Sequence, residues 1–98
     1  MRLGNVIGRV TLTPQDPSYE GGRLLIVRPL SRSQYRDSAA SDDQAPPSLV
    51  VFDQLGARQG DIVGFTEGAE ATRPFAQPTP VDAYAACIIE QLDYQPPA

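Results

Sequence analysis

The run Asp53 to Asp61, DQLGARQGD, is where this chain comes nearest to a reactive motif, setting two glycines and two carboxylates close together. Glycine-rich loops cradle phosphates when their backbone N–H groups converge. This run, however, lacks the Gly-Lys-Ser/Thr ending of a P-loop, and no helical pattern follows it. Its chemistry fits a tight connection. Gly56 and Gly60 would take positive φ, and the Asp53 carboxylate would cap the turn through the amides beside it.

The other reactive residue types are equally unaided. Cys87 is the only cysteine and the chain has no histidine, so the usual base that makes a thiolate is missing. Between Ala86 and Ile88 it reads as a small buried apolar side chain. Without histidine the commonest general base and metal ligand are also gone. Glu67, Glu70, Asp82 and Glu90 could form an acid–base pair only if the fold gathered two of them, and their spacing gives no reason for that. Asp42 and Asp43 are adjacent, and neighbours on extended chain point opposite ways, so they read as a solvated loop rather than a cation site. No catalytic, cofactor or metal residue is expected.

The arginines are more informative. All eight basic residues are Arg, against twelve acids, for a net charge of −4. That balance argues against a nucleic-acid binder, which carries a clustered basic surplus. Arg is favoured at protein interfaces for its planar, multi-donor head, and Arg9, Arg28 and Arg73 are candidates to reach a neighbouring subunit. Gly68, followed by Ala69, would let backbones approach closely.

The elements that must position these residues are short strands. Residues 2–13, RLGNVIGRVTLT, alternate so that Val6, Gly8, Val10 and Leu12 share a side, with Gly8 marking a bend. Residues 14–22 are turn chemistry in which regular structure is not expected. Leu24 to Leu30 is a second strand, with Pro29 at its end or on an edge. Ser31 to Ser48 is a long Ser-, Asp- and Pro-rich hairpin loop, read as mobile, with strand continuing as far as Tyr35. Leu49–Phe52 and Ile62–Phe65 are strands flanking the tight connection and form the central pair. Ala69–Pro80 is a second connection with a helical turn near Glu70–Arg73. Tyr84–Leu92 is too short for periodicity to separate a helix from a strand; the Ile88-Ile89 pair and the need for a closing partner favour strand, and residues 95–98 are a frayed tail. The 98 residues make a single domain.

Several strands are apolar at consecutive positions, hence on both faces, and no amphipathic helix is available to cover the second face. At about 25 cal/mol per Å², a few hundred Å² of apolar surface left in water forgoes several kcal/mol, comparable with the stability of a small domain. Self-association is the first inference. Five short strands with glycine bends suggest an all-β, OB-like barrel. One cysteine, no apolar run approaching a membrane span and no signal-peptide pattern place the chain in the cytoplasm.

Four segments, MRLGNVIGRVTLT, EGGRLLIVRPL, VFDQLGARQGDIVGFTEG and PVDAYAACIIEQLD, together resemble the pentameric vertex proteins of bacterial microcompartment shells, the family of the ethanolamine-utilisation and carboxysome vertex subunits. The resemblance implies a five-stranded OB-like barrel assembled as a cyclic homopentamer that caps shell vertices beside hexameric shell proteins. It implies no catalysis, no cofactor, no nucleic acid and no membrane. Arg9, Arg28, Gly68, Arg73, Tyr84 and Ile88 are then the expected subunit interface. The alternative function is an OB-fold module for single-stranded nucleic acid, which would need a basic groove with stacking aromatics. An enzyme has least support.

Overall fold

The computed structural model describes residues 1–12, 16–35, 47–77 and 79–95. Five strands, β1 (Arg2–Val10), β2 (Arg23–Pro29), β3 (Leu49–Asp53), β4 (Ile62–Glu67) and β5 (Ala83–Ile89), close into a barrel in the order β1-β2-β3-β5-β4. Neighbours run antiparallel except β3 and β5, which are parallel and registered at Phe52 opposite Tyr84. Closure gives each strand two partners and leaves no long free edge. The architecture is the all-β, five-stranded barrel expected.

The period-2 alternation of β-branched and leucyl side chains fills the interior. Leu25 and Val27 of β2, Val51 of β3, Val63 and Phe65 of β4 and Ala85 of β5 are each no more than 2% exposed and pack with Val6 of β1. The small Ala83 and Ala85 let β5 fit against Phe65, with Ala85 registered opposite that ring. Pro29 closes β2 at its last position, where a missing N–H costs least.

The polar run between β3 and β4 is a built turn. The buried Asp53 carboxylate accepts from the backbone N–H groups of Leu55 (3.0 Å), Gly56 (3.0 Å) and Ala57 (2.8 Å). Gly56 and Gly60 take φ of 87° and 96°, a region that costs a Cβ-bearing residue about 1–2 kcal/mol. Asp61 repeats the device by accepting from the Arg58 N–H at 2.8 Å. Two backbone bonds, Val6 N–H to Asp61 O (2.8 Å) and Gly60 N–H to Val6 O (2.9 Å), tie the loop to β1. Ala57, 3% exposed, thereby becomes part of the core.

The structure corrects several expectations. β3 and β4 are not neighbours: β5 lies between them, because the registration of β4 on β5 and β1 is a long-range choice that local turn chemistry does not determine. β1 ends at Val10, and a bulge between Val6 and Gly8 breaks its alternation. Val6 stands opposite the inward Val27, whereas Gly8 and Val10 stand opposite the outward Ile26 and Leu24. Val6, Gly8 and Val10 therefore do not share a face, since an extra strand residue inverts every position after it.

The chain does not continue as strand to Tyr35. Ser33–Tyr35 is a 3-10 turn, held by the Gln34 side-chain oxygen accepting from the Ser31 N–H at 3.0 Å. Pro17–Tyr19 is another such turn, inside the segment expected to be irregular, and Asp16 caps it through the Ser18 N–H. The expected helical turn is the 3-10 segment Gly68–Thr72. Most of the long 31–48 loop, residues 36–46, and the end of the tail, 96–98, lie outside the described residues.

Candidate functional site: the outer wall of the barrel

The register of β2 on β3 decides which apolar residues face away from the core. Leu25 pairs with the inward Val51, so Leu24–Phe52 and Ile26–Val50 are the outward pairs. Gly8 and Val10, turned outward by the bulge, extend this wall across β1.

The chain covers half of the wall itself. Phe52 faces outward yet is 1% exposed, because the rings of Tyr19, Phe75 and Tyr84 lie 5.8, 5.6 and 6.5 Å from it, centroid to centroid. Phe75 meets Tyr84 edge-on at 5.3 Å, a favoured aromatic geometry. The tyrosines keep their polar ends satisfied: the Tyr19 hydroxyl donates to Pro80 O at 2.6 Å, and the Tyr84 hydroxyl to Gln54 Oε1 at 3.0 Å. Gly22 is required beneath this cluster, since a Cβ there would lie 2.2 Å from the Phe52 ring.

The other half stays open. Val50 is 48% exposed beside the partly buried Ile26 and Gly8. Leu12 and Ile7 are 36% and 37% exposed; on β5, Ile88 is 41% exposed but stands opposite the inward Val63, so it does not belong to this outward wall. Cys87, expected to be buried, is half-buried with its Sγ 4.0 Å from the Met1 sulfur.

The six residues nominated for subunit contact do not form one cluster. Arg28 is exposed opposite Asn5. Arg9 is exposed at the far end of β1, where the bulge has placed it opposite Leu25. Gly68 (φ 65°) opens the 3-10 turn, donating its N–H to Asp82 O at 2.8 Å, and Arg73 follows that turn, exposed. Tyr84 stands across from Thr66 on β4, half-buried in the aromatic cluster, while Ile88 lies further along β5. Arg9 lines a concavity with Tyr19 and Phe52, whose ring lies 6.5 Å from that of Tyr84.

Electrostatic contacts on the wall are sparse. Arg2 holds Glu67 with Nε–Oε1 at 2.6 Å and Nη2–Oε2 at 2.9 Å, and its guanidinium stacks 5.4 Å from the Phe65 ring centre. These hydrogen bonds to Glu67 raise the Arg2 pKa above its already high ordinary value. Both side chains are about 40% exposed or more, so the pair is worth no more than about 1 kcal/mol. Among the described residues no three His, Cys, Asp or Glu side chains gather to hold a metal ion, and no helix is long and apolar enough to cross a membrane. What this surface can do chemically is adhere, through exposed β-branched side chains flanked by arginines.

Known proteins share this architecture over almost their whole length. Residues 1–90 match the family model described as ethanolamine utilisation protein EutN/carboxysome. The bacterial microcompartment shell vertex protein PduN of Salmonella typhimurium is 32% identical over 94 residues, spanning 94% of this chain and 98% of that protein. Among solved structures, the GrpN pentameric microcompartment shell protein of Rhodospirillum rubrum superimposes with a TM-score of 0.74 at 29% identity, covering 97% of this chain and all of that one. The Gloeobacter violaceus CcmL structure gives 0.76 at 26% identity over 96% of this chain and 90% of its own. A barrel of this strand order, with matching sequence along nearly all of it, makes the chain a member of the EutN/CcmL family.

Proposed function

We propose that this chain is a structural subunit of a bacterial microcompartment shell, forming a homopentameric ring that closes a vertex. The observation that carries this reading is the near end-to-end correspondence with a shell vertex protein, 98% of which is matched by 94% of this chain. The relative whose structure is described as pentameric is matched as completely.

The open half of the wall supplies the physical motive. Val50 and Ile26 of the wall, and Ile88 apart from it, bury apolar area when a second copy covers them, at about 25 cal/mol per Å². A ring uses one head-to-tail contact repeated until it closes, so a patch and its complement must lie on different sides of the barrel. Arg28, Arg73, Arg9, Gly68, Tyr84 and Ile88 are the polar and close-packing parts of that contact in this reading, and the rim of the ring docks hexameric shell proteins. The subunit is not an enzyme, and it resides in the shell, in the cytoplasm. The nucleic-acid alternative needs stacking aromatics open to bases, and Phe52 is already covered by its neighbours.

Co-expression with hexamer-forming shell subunits tests the role. Electron microscopy should show closed polyhedra when this chain is present and open or elongated shells when it is omitted. Shells that close equally well without it overturn the reading.

A further inference from the structure

The end of the barrel beside the 53–61 loop holds a concavity of about 290 Å³. Arg9, Arg23 and Arg58 line it, and Val6, Leu25 and Ala57 form its apolar floor. Far apart in sequence, the three arginines meet for structural reasons. The bulge after Val6 turns Arg9 to the Leu25 side, two residues along β2 from Arg23. Asp53 and the two bonds to Val6 then fix the loop that carries Arg58 over the same opening.

Among the described residues, none of these guanidiniums has a carboxylate within salt-bridge distance. Of the two acids of the loop, Asp53 accepts backbone N–H bonds with both oxygens and Asp61 with Oδ2. In a chain of net charge −4, three convergent unpaired arginines over an apolar floor make an oxyanion receptor. Guanidinium edges present paired N–H donors that match phosphate oxygens, and the volume suits a compact ligand. We propose that this concavity binds a small phosphate ester or diphosphate, its phosphate held by Arg9, Arg23 and Arg58 and its organic part resting on Val6, Leu25 and Ala57. The proposal goes beyond the shell role and shares only Arg9 with the subunit contact of that reading, while Arg23 and Arg58 belong to the concavity alone.

Calorimetric titration of the assembled protein with inorganic pyrophosphate at about 20 mM salt, where exposed charges are little screened, tests it. Saturable binding is expected, weakening as salt rises, and Arg58→Gln and Arg23→Gln should each lower affinity about tenfold while leaving the melting temperature unchanged. Arg32→Gln, outside the concavity, should leave affinity as it was. No saturable heat, equal affinity in the Arg58 variant, or an equal loss in the Arg32 variant overturns the proposal. So does dissociation of the assembly by Arg58→Gln, which would show the arginines to be covered by a neighbouring copy's acidic groups.

Discussion

Replacing Asp53 with Ala removes one side chain and strands three donors. The carboxylate sits at 1% exposure and accepts N–H bonds of 2.8 to 3.0 Å from Leu55, Gly56 and Ala57. The Ala57 N–H is buried, and leaving it without its acceptor costs about 1–3 kcal/mol. The Leu55 and Gly56 donors belong to exposed residues and can recruit water into the vacated space, which limits each to about 0.5–1.5 kcal/mol. The expected loss is about 3 kcal/mol, a large fraction of what a small domain has to spare. Urea denaturation at fixed protomer concentration measures it, because assembly and folding are coupled by mass action. Hydrogen exchange should also speed at Ala57 and at Val6, whose N–H donates to Asp61 O of the same loop. A variant within about 0.5 kcal/mol of the parent, below the cost of even one such bond, would refute the account of this turn.

Other expectations follow from the same geometry. Gly22→Ala drives a Cβ to 2.2 Å from Phe52, whose ring is hemmed in by Tyr19, Phe75 and Tyr84, and should cost about 1–3 kcal/mol in thermal or urea unfolding. Gly64→Ala meets Cys87 Sγ at 2.7 Å and Met1 Sδ at 2.9 Å; because the exposed methionine can move aside, its cost should be smaller than that of Gly22→Ala. Val50→Asp, at a residue 48% exposed, should leave the circular dichroism of the barrel intact while shifting light scattering towards smaller species. Asp16 should titrate below the ordinary carboxylate range, because the Ser18 hydroxyl and then the Ser18 N–H donate to it. With its folded value below its unfolded one, its preference for the capped turn is present above the unfolded value and disappears as pH falls through the folded one. Ser18→Ala should return that titration, followed by carboxyl NMR, towards the ordinary range.

The parts of the molecule legible in its sequence are those fixed by neighbours in the chain. Asp53, Gly56 and Gly60 announce a turn because Asx capping and positive φ are properties of a few consecutive residues, and the structure has both. The first four strands follow from period and β-branching in the same way; over Tyr84–Leu92 periodicity fits a short helix equally well, and the Ile88-Ile89 pair and the need for a closing partner point to strand. Pairing does not follow from either: the insertion of β5 between β3 and β4 depends on contacts remote in sequence. The bulge after Val6 is signalled only by Gly8, and the inversion it causes moves Arg9 to the barrel end.

The expectation that outward apolar residues need a cover from outside the chain still applies to Val50, which the chain leaves 48% exposed. For Phe52 the cover is the chain's own Tyr19, Phe75 and Tyr84, scattered through turns with no common period. Arg23 and Arg58 carry no sequence signal for a similar reason, since they meet only once the barrel closes and the loop is pinned. Of the nominated contact residues, Gly68 has the positive φ that its type permits.

Native mass spectrometry of the intact protein at micromolar concentration bears most directly on the central claim. A head-to-tail ring closing after five copies of the 10.6 kDa chain should appear as a single species of about 53 kDa. A stable 10.6 kDa monomer, unchanged as concentration rises, would contradict it.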